Sequence, residues 1–425
     1  MAAGAMCSCV SALLMAVSYP VYLRFLGYEQ YGLWIVIGTV LSFAQLSSLG
    51  LGQALSKQVA SDHSLGDHDA VDTCIATVVT TLLVIGGAVC FVIALLRVTI
   101  TSFFHLSLPN AALVSSLLPA VALLSLYAMS LDTLNSTLAG VGRIDLYLSL
   151  QLLSQVLSVG ITLLLVATRH GILSFVAGNA VAYATLHIVS NLTLRHILGR
   201  GAFCPRRFSW QMLKKILSVS LYLSGSSILN MLVGPLNKLL LARYVGVSAL
   251  PTYDIIINGS GKMRSLLDSA MRAIMPEISR LASLSEHANI SRLNRRISRN
   301  LLVAGGTVFT LLLLTCGFGV KLWLGKLAAH FPVDGLRIVL VGTFFGLLGV
   351  PAFYTLLGLG RSAPLFLANL LQSAIPVLSV LAIVTLGHAL SLINALQATA
   401  LGMIVANFYL IWQNSRAMKS LSGTA

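Results

Sequence analysis

Of the 425 residues, 57% are hydrophobic and only 9% are charged, with a mean hydropathy of +0.91. So little polar surface cannot enclose a soluble core, which excludes a water-soluble globular protein. A formal charge of +15 and a pI near 9.9 raise nucleic acid as a partner, but Lys and Arg collect in the connections between apolar runs, which argues against that reading.

About twelve runs are long enough to cross a hydrocarbon layer. They cover 3–23, 32–57, 73–96, 110–139, 146–167, 172–194, 216–242, 251–276, 300–323, 334–358, 363–387 and 389–413. The fold class is therefore an all-α polytopic membrane protein. The first run passes straight into Arg24 with no small-residue cleavage site, so it reads as a retained span rather than a signal peptide. Pro20 interrupts it. His63, Asp67, His68, Asp69 and Asp72 follow the second run and read as a solvated loop rather than a metal site. In the fourth run, Asp132 and Asn135 form a polar pair that serves either as an interhelical hydrogen bond or as a cavity carboxylate with its neighbour. The six cysteines, Cys7, Cys9, Cys74, Cys90, Cys204 and Cys316, show no metal or redox spacing, and no cofactor is implied.

Between the sixth and seventh runs lies a basic, polar linker, 195–215, broken by Pro205-Arg-Arg207. The seventh run has an irregularity from Asn230 through Gly234-Pro235 to Asn237-Lys238. With the N-terminus inside, sixteen of the 27 Lys and Arg fall in inward connections, seven fall outward and four lie within spans. Such a bias places both termini in the cytoplasm, and basic loops suit anionic membrane lipids. His105, His170, His330 and His388 stand alone near outward ends, and the outward loops are too short for an extracytoplasmic catalytic domain.

The chain repeats itself. Arg24-Phe-Leu-Gly27, with Trp34 seven positions on, matches Arg243-Tyr-Val-Gly246 with Tyr253; Gly140-Val-Gly142-Arg143 matches Gly358-Leu-Gly360-Arg361. The expected domains are a six-helix bundle over 1–194, the linker 195–215 and a second bundle over 216–425. Six spans per half relate the two by an axis along the membrane normal.

The eighth run is the most heavily charged. On a helix, Asp254, Asn258, Asp268 and Arg272 fall within about 40° of one line, with Lys262 and Arg264 roughly 80° to either side. Each charge at a bilayer centre costs on the order of 3 kcal/mol, so these side chains must meet a wet cavity or each other. In the first copy, Phe43, Gln45, Leu49 and Gln53 stand where the second has Lys262, Arg264, Asp268 and Arg272. Asn258-Gly-Ser-Gly-Lys262 lacks the glycine and hydroxyl spacing of a phosphate loop, and no nucleotide site is read there.

Tyr22-Leu-Arg-Phe-Leu-Gly-Tyr-Glu-Gln-Tyr-Gly-Leu-Trp34, followed by Leu49-Gly-Leu-Gly-Gln-Ala54, resembles the first two spans of bacterial Wzx-type polysaccharide and O-antigen flippases of the MOP exporter superfamily. The resemblance extends over two lobes and the basic linker. It implies a MATE-like V of two bundles in the bacterial inner membrane, moving an undecaprenyl-pyrophosphate-linked oligosaccharide to the outer leaflet by alternating access. It implies a transporter, not an enzyme, with other polysaccharide-assembly membrane proteins as candidate partners. Such proteins usually carry a short basic leader, so an upstream start is an expectation here.

Cationic cavity side chains in that family match Arg24 and the bases of the seventh and eighth spans. Arg264 and Arg272 suit bidentate contacts with phosphate, and Lys238 and Lys262 act as point charges. Asn258, Gln45 and Gln53, with Asn230 and Asn237, are sugar-contact candidates. Asp132, Asp254 and Asp268 balance charge or bind a coupling ion. A drug or cation exporter of the same superfamily needs a more acidic and aromatic cavity. A glycan polymerase or ligase needs an extracytoplasmic constellation that the short loops do not supply.

Overall fold

A computed structural model describes residues 2–45, 48, 50–198, 208–271, 274–284 and 286–422. These residues are almost wholly helical and contain no strand. In order, the helices are α1 (Ala2–Gln45), α2 (Leu51–Ser64), α3 (His68–Leu95), α4 (Arg97–Phe103), α5 (Leu108–Gly140), α6 (Ile144–Ala167) and α7 (Leu173–Leu198). Then follow α8 (Trp210–Tyr244), α9 (Leu250–Met271), α10 (Ile274–Ser283), α11 (His287–Leu324), α12 (Val333–Gly358), α13 (Ser362–Thr385) and α14 (Leu392–Ser422).

Ten of the twelve expected spans each coincide largely with one helix, and the other two, 32–57 and 251–276, each cover parts of two. The first two share α1, which turns at Gly27 with φ 73° and ψ 176°. That combination is far from helical and lies where a side chain is disfavoured, so glycine makes the corner. Rings brace it: Tyr22 lies 5.4 Å from Tyr31 and 4.8 Å from Phe175, and Trp34 stacks on Phe175 at 4.7 Å. The second span continues into α2, and the eighth is α9 followed by α10. Among the described residues nine helices are long and apolar enough to cross a membrane. By its place in the order, α9 corresponds to the eighth expected span.

Helix boundaries reproduce the duplication. Both ends of α6 recur in α13 after 218 residues, and the starts of α3 and α11 are 219 apart. Left-handed glycines recur likewise, Gly27 with Gly246 and Gly142 with Gly360. By packing, the chain forms two compact units, one of residues 13–248 and one of 249–425 with 1–12. By sequence α8 opens the second copy, while by packing it belongs to the first unit. Of the 195–215 linker, residues 199–207 lie outside the described residues.

In the unit 13–248 the core joins Leu51 and Leu55 of α2, Cys74 and Val78 of α3, Leu134 and Leu138 of α5, Leu194 of α7 and Ile216 of α8. Lipid tails are as apolar as these side chains, so close packing rather than exclusion from water holds the helices together. At Gly140 a Cβ would stand 2.6 Å from the Ser56 carbonyl oxygen, so the end of α5 lies directly on α2. In the other unit the equivalent crossing sets α10 on the end of α12, where Ser279 Oγ donates to the Gly358 carbonyl at 3.2 Å. There α12 is the central helix. Its Gly342 lets α14 approach until a Cβ would meet the Ala400 Cα at 2.9 Å, and Leu340 and Leu347 pack on Leu301 and Phe309 of α11.

Candidate functional site

Among the described residues of the unit 13–248, a polar cleft lies where α2, α5 and α6 meet the end of α1. It has two chambers. The larger, of about 640 Å³, is lined by Gln45, Ser48, Gly50, Gly52, Gln53 and Ser56 on one side and by Ala128, Asp132, Thr133, Ser136, Ala139 and Tyr147 on the other. The smaller, of about 340 Å³, shares Ala128, Asp132 and Tyr147 and adds Asn135, Gln151, Ser154, Gln155, Ser158, Tyr183 and Leu186. Helical periodicity builds both walls: Ala128, Asp132, Ser136 and Ala139 face one way on α5, while Tyr147, Gln151, Ser154, Gln155 and Ser158 form a polar stripe on α6.

Asp132 stands between the chambers. Tyr147 Oη donates to its Oδ1 over a long 3.4 Å, and Gln151 Nε2 donates to Tyr147 Oη at 3.2 Å. The far end of the smaller chamber is tied to α7 by Ser158 Oγ donating to Asn179 Oδ1 at 2.6 Å. Asn135 is 3% exposed, and its Oδ1 accepts no hydrogen bond among the described residues, so the polar pair with Asp132 is not an interhelical bond through that oxygen. Below the cleft, Arg143 donates through Nε and Nη2 to the two Asp145 oxygens, each at 3.1 Å. That bonding holds the exposed Arg143 guanidinium above its ordinary pKa.

The sequence-derived candidates divide. Gln45, Gln53 and Asp132 meet in the larger chamber. Arg24 is exposed on α1 a turn before the Gly27 corner and is not part of either lining. Lys238 is half-buried on α8 beside the buried Asn237. In the other unit, α9 carries Asp254, Asn258, Lys262 and Arg264. Asp254 is buried, Asn258 exposed, and both bases half-buried. The α9 start is anchored by Tyr253 Oη and Thr399 Oγ1 at 3.2 Å. Arg264 lies along α12, where a Cβ on Gly346 would stand 3.3 Å from its Nη1, so the bare glycine makes room for the guanidinium. Arg272 lies outside the described residues, as do the side chains of Asp268 and Asn230.

The α6 stripe did not figure among the sequence candidates, although its spacing of four, three, one and three residues is visible in the chain. The expected loop of His63, Asp67, His68, Asp69 and Asp72 is mostly helical, with His63 on α2 and His68, Asp69 and Asp72 on α3; Asp67, between the helices, accepts at Oδ1 from the Ala70 N–H at 2.9 Å and caps α3. Among the described residues no three His, Cys, Asp or Glu side chains converge as a metal site.

Solved structures share this fold. One is the inward-facing conformation of a multidrug resistance MATE family transporter of the MOP superfamily, with a TM-score of 0.73 at 15% identity over 97% of this chain and 96% of that one. Another is the lipid II flippase MurJ in an inward closed conformation, with a TM-score of 0.71 at 12% identity over 96% and 86%. No curated protein sequence matches the chain. A family model described as polysaccharide biosynthesis protein matches residues 3–282. That match spans well over half of a multi-pass membrane chain with the MOP fold, and the chain belongs to the polysaccharide biosynthesis protein family.

Proposed function

We propose that the protein is a flippase that carries an undecaprenyl-pyrophosphate-linked oligosaccharide from the inner to the outer leaflet of the bacterial inner membrane. The observation that carries this reading is the pair of half-buried bases, Lys262 and Arg264, on an α9 helix at the place of a membrane span, in a chain of the polysaccharide biosynthesis family. Bases there oppose insertion and are kept for an anionic ligand. A pyrophosphate must leave water while its prenyl tail remains in lipid. A guanidinium with its planar fork binds two phosphate oxygens at once, and an ammonium adds a point charge.

In this mechanism the lobes 1–194 and 216–425, joined by the 195–215 linker, alternate in opening toward each side with both termini cytoplasmic. Arg264, Arg272, Lys238, Lys262 and Arg24 attract the pyrophosphate. Asn258, Gln45 and Gln53 contact sugar, and Asp132, Asp254 and Asp268 offset the charge. Transport runs on an ion gradient or on consumption of the product at the far face, without a catalytic step.

The test is binding of undecaprenyl pyrophosphate to the purified protein in nanodiscs, wild type against Lys262→Ala, Arg264→Ala and Arg272→Ala combined. Saturable binding lost in the triple variant supports the reading; equal binding by both assigns the bases a structural role. A second reading, export of a lipophilic cation, is favoured by one feature, the carboxylate of Asp132 in a neutral cleft. It would be selected by ethidium binding that depends on Asp132 together with no prenyl pyrophosphate binding.

A further inference from the structure

Among the described residues, Asp132 is the one charged side chain on the wall of either chamber. The remaining polar lining consists of amides, hydroxyls and a phenol. Leu46, Ser47 and Leu49, between α1 and α2, carry no charge either. Two bases lie close along the chain, Lys57 next to Ser56 and Arg143 four residues before Tyr147; both are absent from the linings, and Arg143 is engaged with Asp145. This is the reverse of α9, which carries the two half-buried bases Lys262 and Arg264. A second observation concerns what the cleft lacks internally. Asn135 is buried, lines the smaller chamber, and leaves its Oδ1 without a donor among the described residues. A buried carbonyl in that state is stabilised only when something entering the chamber donates to it.

Asp132 and Asn135, one turn apart on α5, therefore present acceptors to the chambers, and Tyr147 and Gln151 add groups that both donate and accept. Chamber volumes of about 640 and 340 Å³ suit small rings. A ligand rich in hydroxyl donors matches this lining. A ligand bearing a carboxylate would meet the Asp132 carboxylate with no base on the wall to relieve it, a built-in repulsion that discriminates as strongly as a favourable contact.

We infer that the two chambers form a subsite for uncharged sugar residues, with Asp132 and Asn135 accepting from sugar hydroxyls, and that Asp132 rejects acidic sugars such as uronic acids. The inference rests on the flippase reading and adds to it the charge class of the glycan. Anion recognition and sugar recognition are thereby separated, the pyrophosphate going to the α9 bases and the neutral glycan to the α5–α6 cleft.

The experiment compares three probes on the full-length protein in nanodiscs: undecaprenyl pyrophosphate alone, the same lipid bearing glucose, and the same lipid bearing glucuronic acid. The glucose probe is expected to bind about tenfold more tightly than the glucuronic acid probe, the size of effect produced by one poorly placed charge. Asp132→Asn brings that ratio close to one, and Asp132→Arg inverts it. Asn135→Ala weakens the glucose probe several-fold while leaving the sugar-free lipid unchanged. Equal affinities for the two sugar probes in the wild type, or a ratio untouched by Asp132→Asn, overturn the inference. So does a glucose probe that binds no better than the sugar-free lipid, and in each of these cases the flippase reading stands. Failure of all three probes to bind overturns both.

Discussion

The second span and the eighth occupy matching places in a duplicated chain, and they differ in chemistry while agreeing in architecture. Each is a helix that continues into a shorter one, α1 into α2 and α9 into α10, and each shorter helix crosses the end of a longer partner, α2 at Gly140 of α5 and α10 at Gly358 of α12. Where the first copy has Gln45 and Gln53, both on the wall of a cleft that carries no base, the second has Arg264 and Arg272. Duplication preserves the glycine at each crossing, Gly140 and Gly358, and at Gly140 a Cβ would collide with the Ser56 carbonyl. The copies differ instead at positions such as Gln45 and Gln53, which line the cleft in the first.

The largest expected effect strikes at the chemical half of this contrast. Replacing Lys262 and Arg264 together by Ala should weaken undecaprenyl pyrophosphate about a hundredfold, roughly 2.7 kcal/mol, in a nanodisc binding titration. A loss of similar size from Gln45→Ala with Gln53→Ala would erase the distinction between the copies. The architectural half is tested by Gly140→Ala. Its Cβ would stand 2.6 Å from the Ser56 oxygen and 2.9 Å from Val59 Cβ, so overpacking should cost about 1–3 kcal/mol, seen as a lower thermal midpoint in detergent.

Gln53→Arg gives the first copy the base of the second. It should reduce the preference of the cleft for a glucose-bearing over a glucuronic-acid-bearing lipid about tenfold, close to 1.4 kcal/mol, and an unchanged preference would mean that the side chain does not reach the bound sugar. A smaller effect is expected from Ser279→Ala, which removes the 3.2 Å bond to the Gly358 carbonyl. About 1 kcal/mol of stability should be lost with little change in ligand binding. The smallest belongs to Gly346→Ala. A Cβ 3.3 Å from Arg264 Nη1 displaces the guanidinium by a few tenths of an ångström, which should weaken pyrophosphate about threefold, roughly 0.6 kcal/mol.

The spans could be read from the sequence because a run of apolar residues is an extended, additive signal. The corner at Gly27 was carried by a motif, Arg24 to Gly27, whose recurrence at Arg243 to Gly246 marks it as structural independently of its conformation. Asp132, Gln45 and Gln53 stood out because a carboxylate or an amide inside an apolar run is conspicuous. Tyr147, Gln151, Ser154, Gln155 and Ser158 did not, since each alone is ordinary in a membrane helix and only their common face gives them meaning. Arg24 shows the opposite case. Its charge and its motif marked it in the sequence, and the structure puts it a turn before the corner, outside the linings of both chambers, a consequence of backbone direction that composition does not encode.

The Gly27 corner also positions a distant part of the cleft wall. From Gly27 to Gln45 runs a helical arm of 18 residues, about 27 Å at 1.5 Å per residue. A change of about 10° in the torsions of that one glycine sweeps the far end of the arm through about 5 Å, by the same helical rise. Gln45, at that far end, is part of the wall of the larger chamber. The place of Gln45 in that wall is thus set by the backbone direction at a single distant glycine, and the rings of Tyr22, Tyr31, Trp34 and Phe175 hold the corner where that direction is fixed.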